Sequence, residues 1–419
     1  MSFTGNDGAF RVAPKISGSG VLETSEKKPL TFDNIAGTFK LYIADLRAEI
    51  DNIITYGSDG VFNVALDERM KTVGLYKIGD IVNDGSSVSI KKTEEVVGAA
   101  KNTSLATVNS INTAIILSRA LSNSVHKRLG DLMGDFMGQS SKDLESGFFR
   151  AFNENSKTHD NGGKIYSSLQ GMEFGRDFKV KESDFSNIYI GVLGQISSAD
   201  ATYKQASGER GEGVIDAYAL GGYVLYFDKR GFFIDAVLRQ HFIRQSVTDE
   251  LYGTPMDYKF NQSSTTFTLE IGRQFDLNER KSKFDTVYFI TPRFEGGFSY
   301  IKGDDYKTSN GYDGYINDTK SLRFDGGALF GAKFYNKEDK ISYAPYIKAG
   351  IIHEFDGKSE SVIDNIRQKS DAMSGTKYEI GGGISIKNQH NLTMFLDASL
   401  EKSSKTRNFG AVVGIRYDF

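Results

Sequence analysis

The chain has 419 residues, rich in glycine (45), phenylalanine (30) and tyrosine (21), poor in proline (5), and without tryptophan. That balance favours many strands joined by wet turns over a helical enzyme. The absence of cysteine excludes disulfides, thiolate metal sites and cysteine nucleophiles, and a formal net charge of -3 leaves no basic footprint for nucleic acid.

A chain this long suggests two structural regions. Its mean hydropathy of -0.36 is that of a water-soluble protein, and no window approaches the roughly 18 apolar residues of a spanning helix. This excludes helical membrane proteins only, because a transmembrane barrel alternates lipid-facing and lumen-facing residues and hides its signal at period 2. The opening MSFTGNDGAF has neither a basic stretch nor an apolar run. It is read as the start of a fragment, a processed form or the downstream half of an interrupted gene.

Residues 20–98 carry short β-like runs, GTFKLYI, DNIITYG and GVFNVAL, broken regularly by Gly, Asp and Asn. They predict stacked β coils, the end cap of a longer repeat. From Ser104 to Gly138 the period changes. Ile111, Ile115, Leu117, Leu121, Val125, Leu129 and Leu132 follow spacings of three and four, which predicts an amphipathic helix. Such a helix packs on a soluble domain or, beside a barrel, plugs the lumen.

Beyond residue 145 the sequence resolves into twelve strand-like stretches: 146–153, 164–180, 186–200, 214–227, 231–246, 262–277, 287–301, 322–335, 341–356, 376–387, 391–402 and 408–419. Long polar spacers such as NENSKTHDNGG, SVTDELYGTPMDYKFN and KGDDYKTSNGYDGYINDTKS alternate with short ones, DKR, NKEDK and NQH. An even strand number with loops sorted by side fits an outer-membrane barrel rather than a sandwich. In the last stretch Phe409, Ala411, Val413, Ile415, Tyr417 and Phe419 share one face, opposite Gly410, Val412, Gly414, Arg416 and Asp418. The same rule opposes Leu322, Phe324 and Phe330 to Arg323, Asp325 and Lys333, and Leu238 and Phe242 to Asp235 and Arg239. Charges spaced in this way are costly in a dry core and suit a polar lumen. Asp235, Arg239, Arg323, Asp325, Lys333, Lys348 and Arg416 are therefore expected to face inward.

Three stretches, HKRLGDLMG (126–134), APYIKAGIIHEFDG (344–357) and the terminal GAVVGIRYDF, resemble in order and spacing the β-domain of type Va autotransporters over about residues 120–419. Leu30–Glu68 resembles the junction called the autochaperone region, with Gly37, Phe39, Asp51 and Gly60 at its pattern positions. The resemblance implies an all-β fold: a 12-stranded antiparallel transmembrane barrel with an α-helix in its lumen, preceded by the C-terminal end of a parallel β-helix passenger. The implied division is 1–100 passenger remnant, 101–140 linker and lumenal helix, and 141–419 translocator barrel.

Further implications concern partners. Ile415, Tyr417 and Phe419 would form the signal read by the barrel-assembly machinery. Periplasmic chaperones, outer-membrane lipid and lipopolysaccharide would be the other partners. The implied location is the outer membrane of a Gram-negative cell, with the N-terminal segment on the surface and the barrel a monomer. In a subset of the family the lumenal helix cuts itself between two asparagines. Here Asn123 keeps the nucleophile position, but Ser124 replaces the second asparagine, which weighs against cleavage.

No other catalysis is expected. His126, His159, His241, His353 and His390 are scattered without metal-ligand spacing, and there is no GxSxG, P-loop or dinucleotide fingerprint. No cofactor, metal or nucleic acid is expected. Rival readings are a passive porin-like channel and a surface adhesin fragment, separated from the first by whether the N-terminus lies outside the cell.

Overall fold

The computed structural model describes residues 2–3, 10–12 and 16–96 with breaks at 26, 45, 47–48, 58–59, 68–69, 71 and 74–75; residues 112–115; and residues 145–419 with breaks at 161–162, 184, 205–209, 229, 252–253, 279–285, 337–340 and 389–390. It divides into two compact units, residues 1–101 and 102–419.

In the first unit, parallel pairing stacks short strands into coils. One sheet holds β1 (Ser2–Phe3), β3 (Ile16–Ser25), β5 (Ile35–Ala44) and β7 (Phe62–Leu66). The other holds β2 (Phe10–Val12), β4 (Leu30–Phe32) and β6 (Ile50–Tyr56). Ile16 pairs with Ile35, and Gly37 with Phe62, so a coil takes up 19 to 25 residues. Leu22, Leu30, Phe32, Ile35, Phe39, Leu41 and Ile54 fill the space between the sheets, because alternate residues of each strand must point the same way. Stacking ends where β8 (Thr72–Val73), β9 (Tyr76–Asn83) and β10 (Ser87–Val96) pair antiparallel and lay Val88 and Ile90 over the last coil. An antiparallel cap covers edges that parallel coils leave open.

The second unit is a closed barrel. Its strands are β11 (Ser146–Asp160), β12 (Gly163–Glu182), β13 (Ser186–Lys204), β14 (Arg210–Asp228), β15 (Phe232–Leu251), β16 (Thr254–Arg273) with its short continuation β17 (Phe275–Asp276), β18 (Thr286–Ile301), β21 (Thr319–Asn336), β22 (Ile341–Glu354), β25 (Gly375–Lys387), β26 (Leu392–Lys402) and β27 (Thr406–Asp418). Each pairs antiparallel with its neighbours, and β11 closes on β27 with Ser146 opposite Asp418 and Thr158 opposite Thr406. The closed ring has twelve strands, as the alternation predicts, and no free edge.

Outward positions around the middle of the barrel carry apolar residues, while inward positions carry the buried charges together with aromatic and aliphatic side chains such as Phe148, Tyr223, Phe227 and Phe233. Val413, Ile415 and Tyr417 are about half exposed, whereas Arg416 and Asp418 between them are buried. Aromatic rings pack over inward glycines: a Cβ on Gly414 would meet the Phe395 ring at 2.1 Å, and one on Gly175 the Phe148 ring at 2.4 Å. At the short-turn end, Asp228 Oδ1 accepts from the Arg230 and Phe232 amides at 2.9 and 3.0 Å, and Gly231 takes φ 84°, where a side chain would be strained.

The long spacers differ from expectation. Several predicted as loops are mostly strand: β11 continues to Asp160, β15 to Leu251, and β16 begins at Thr254. At the long-loop ends of β15 and β16 the alternation inverts, with Val247, Met256, Tyr258 and Phe260 buried on the inward face and Thr248, Asp257, Lys259 and Asn261 exposed on the outward one, so the lipid-facing apolar pattern ends while the backbone ladder persists. Two true loops fold into hairpins, β19 (Asp305–Lys307) with β20 (Asp313–Ile316), and β23 (Ser359–Ile363) with β24 (Ile366–Ser370), joined in one four-stranded sheet. Tyr306 stacks on Tyr258 of β16 at 4.9 Å and ties this sheet to the barrel.

The barrel interior as candidate functional site

Because inward residues recur every second position, polar side chains from adjacent strands meet inside the barrel. Among the described residues three ion-pair groups stand out, beside the separate pair Lys377–Glu401 at 3.9 Å. Glu173 of β12 forms an ion pair with Arg150 of β11 at 2.8 Å and accepts from Arg239 of β15 at 3.3 Å. All three side chains are at most 3 % exposed. On the opposite arc, Arg293 of β18 reaches Glu270 at 3.5 Å, Glu379 at 3.3 Å and Asp325 at 3.8 Å; Arg323 bonds Asp325 at 3.2 Å; and Lys348 joins Glu379 at 3.3 Å to Asp397 at 2.8 Å. Towards the short-turn end, Arg416 pairs with Asp177 at 2.7 Å and Asp418 at 2.9 Å.

Of the residues expected to face inward, Arg323, Asp325 and Lys348 thus share one network, and Arg239 and Arg416 belong to separate groups. Asp235 is buried on β15. Lys333, half-buried, lies near the short turns and donates to Gln274 Oε1 at 3.2 Å. The hubs Arg150, Glu173, Arg293, Glu379 and Asp397 escaped the sequence reading. Their signal was the same alternation, Arg150 standing between Phe148 and Phe152 on the inward face of the first strand.

A turn of helix, residues 112–115, is buried inside the barrel: Ala114 and Ile115 pack in one cluster with Phe152, Leu169, Ile215, Ile243 and Met373. The Asn112 side chain donates to Ser370 Oγ at 2.9 Å and accepts from Ser359 Oγ at 3.1 Å. Those serines are cross-strand partners in the β23–β24 hairpin, so one amide spans the base of that hairpin at the long-loop end. The rest of the expected helix, with the HKRLGDLMG motif, Asn123 and Ser124, lies outside the described residues.

Ile415, Tyr417 and Phe419 project outward at the short-turn end, where the Tyr417 and Phe419 rings lie 5.3 Å apart and the Phe419 amide donates to Glu145 O at 2.8 Å. In the first unit, Gly37 has φ 123° within β5, Phe39 is buried 5.9 Å from Phe62, and Asp51 accepts from Lys91 Nζ at 2.7 Å. Gly60 is exposed beside Ala36, whose Cβ would stand 3.1 Å from a side chain there. Among the described residues no cluster of three or more His, Asp or Glu is arranged to hold a metal.

A closed ring of twelve strands with an apolar outside, an ionic inside and a piece of upstream chain within it is the arrangement to compare with known proteins. The family model for the autotransporter β-domain matches residues 147–399. The chain belongs to this family. The chain is 27% identical over 238 residues to the autotransporter adhesin/invasin TibA of Escherichia coli, covering 56% of this chain and 23% of that protein. It is 25% identical over 300 residues to the pertactin autotransporter of Bordetella parapertussis, covering 69% and 29%. The chain thus spans about a quarter to a third of the length of these relatives.

Solved structures agree on the fold. The transport unit of the autotransporter AIDA-I from Escherichia coli superposes with a TM-score of 0.61 at 16% identity, covering 76% of this chain and 99% of that one. The β-domain of the Bordetella autotransporter BrkA gives 0.54 at 21% identity, covering 66% and 99%. The autotransporter barrel is an outer-membrane domain of type V secretion, and this barrel's outward apolar face meets lipid.

Proposed function

We propose that the barrel translocates the N-terminal part of its own chain to the cell surface. In this reading residues 1–100 are the end of the passenger, 101–140 the linker and lumenal segment, and 141–419 the translocator. The observation that carries it is the buried turn at 112–115. Asn112 is bonded at the long-loop end, while the first strand opens at Ser146 on the short-turn end. Short turns belong to the periplasmic side and long loops to the outside, so upstream chain stands at the outer mouth and the barrel begins at the inner rim.

The chemistry of the wall suits this task. Fixed ion pairs satisfy one another along part of the wall, beside an inward cluster around Phe148, Tyr223, Phe227 and Phe233, so a passing extended chain meets both polar and apolar surface. Coils such as β3–β5–β7 would then bury their apolar faces one on another outside the cell, and that burial would bias the movement outward. Gly37, Phe39, Asp51 and Gly60 would serve this templating, and the outward aromatics Tyr417 and Phe419, with Ile415, would be read by the barrel-assembly machinery after periplasmic chaperones deliver the chain. Export is transport, so neither a catalytic group nor a cofactor is assigned, and the barrel acts as a monomer.

The test is the mobility of the outer-membrane fraction, unboiled against boiled, followed through an N-terminal tag probed on intact cells. A boiling-dependent shift with an exposed tag is the expected result. A shifted barrel whose tag is reached only after the outer membrane is opened would favour a porin-like channel and overturn export.

A further inference from the structure

At the long-loop end, the outward faces of six neighbouring strands carry basic residues placed directly opposite one another. Lys402 of β26 pairs in register with Arg407 of β27, and Arg407 with Lys157 of β11. One step higher, Lys164 of β12 pairs with Lys204 of β13, and Lys204 with Arg210 of β14. Like charges facing each other across a ladder destabilise a sheet. None of Lys157, Lys164, Lys204, Lys402 and Arg407 has a carboxylate partner among the described residues, whereas neighbouring Lys405 is paired with Asp371 at 2.5 Å. Tyr166 sits between the two tiers and receives both Lys157 and Lys204 over its ring, at 5.5 and 5.3 Å, which aligns the two ammonium groups on one side of the barrel.

The height of this patch narrows its partner. Along β26 and β27, the outward residues immediately below Lys402 and Arg407 are Leu400 and Phe409, followed by Leu396, Val413, Met394 and Ile415. The cations therefore stand where the apolar band ends, at the headgroup level of the outer leaflet. A ligand that matches both tiers has several negative charges above and acyl chains below. We infer that this face binds the phosphorylated headgroup of an outer-leaflet glycolipid, with its phosphates on Arg407, Lys157 and Lys204 and its chains against Phe409 and Leu400. The site neutralises a repulsion that the barrel by itself leaves standing. It rests on the outer-membrane placement and not on export.

The experiment uses the purified full chain in detergent, with binding read by native mass spectrometry. The probes are lipid A bearing both phosphates, lipid A with the phosphates removed, and inorganic phosphate. The parent should hold bisphosphorylated lipid A at least about tenfold more tightly than the dephosphorylated form, since each cation at an anionic surface contributes roughly a fivefold factor. Combining Lys157→Gln, Lys204→Gln and Arg407→Gln should weaken binding by a similar factor, whereas Lys157→Arg with Lys204→Arg should stay within about twofold of the parent. The boiling-dependent gel shift reports that each variant is folded, and the phosphate comparison on the parent stands even if a variant is not.

Equal binding of the two lipid A forms, or unchanged binding by the folded glutamine variant, would overturn the site. Displacement of lipid A by an equal concentration of inorganic phosphate would overturn its assignment to a lipid. Loss of lipid binding with the N-terminal tag still exposed on cells separates this site from the export reading.

Discussion

Glu173→Ala removes the carboxylate that Arg150 and Arg239 share inside the barrel. All three side chains are at most 3 % exposed, so little solvent screening is available to the two guanidinium groups left behind. Breaking a buried pair costs about 3–5 kcal/mol, roughly two to four orders of magnitude in the unfolding equilibrium. With a urea slope of about 3 kcal/mol per molar, the midpoint should fall by at least about 1 M. The chain has no tryptophan, so unfolding from detergent micelles is best followed by far-UV circular dichroism, with the unboiled gel shift as a second probe. Glu173→Gln, which keeps acceptor and shape but not charge, should fall between. The combined variant Arg150→Met, Glu173→Leu and Arg239→Met, which removes every charge of the group, should come within about 1 kcal/mol of the parent or exceed it. A Glu173→Ala loss below about 1 kcal/mol, or a combined variant weaker than the single one, would refute the view that mutual compensation holds these charges inside.

Val413→Arg places a charge on the lipid face of the closing strand and should cost about 2–4 kcal/mol; an unchanged unfolding midpoint in lipid would contradict the outward assignment. Asn112→Leu leaves the Ser359 and Ser370 hydroxyls without their shared amide, at about 1–3 kcal/mol, and should raise the open probability of the pore in planar bilayers severalfold. A conductance trace indistinguishable from the parent would show that the turn at 112–115 is not held by this contact. Deleting Phe419 should lower the heat-modifiable fraction in the outer membrane sharply, and normal insertion would remove the terminal aromatic from the assembly signal.

In the first unit, the Ser86 and Ser87 amides and hydroxyls bond Asp84 and lower its pKa from 3.8 to about 2. A lowered folded-state value means that the turn's contribution is full above the unfolded pKa and is lost as pH falls from about 4 through about 2. Carboxyl carbon NMR of Asp84 should give a midpoint near 2, and one near 4 would show that the turn is not formed.

The strand-by-strand alternation from Phe148 to Phe419 was enough to predict the barrel, its strand number, its two faces and the inward direction of Arg323, Asp325 and Arg416. A lipid-bound barrel must repeat the same choice at every second residue, and that repetition is local information. Strand length was less legible. Above the apolar band β15 and β16 run on with their apolar residues, Val247, Met256, Tyr258 and Phe260, turned inward and polar ones outward, so the extension does not carry the lipid-facing pattern by which the other strands were read.

Pairing across the fold lay beyond the sequence altogether. Nothing near Glu173 announces that Arg150 and Arg239 will share it, because the three meet only when the barrel curves and closes. Asn112 reads as one polar residue in a helical pattern until one hairpin, more than two hundred residues downstream, brings Ser359 and Ser370 to its amide. The basic tiers on β26, β27, β11, β12, β13 and β14 come from both ends of the barrel sequence and become neighbours only because the last strand pairs with the first. Local alternation therefore determined which way each side chain points, while ring closure, a long-range event, decided which charges stand together.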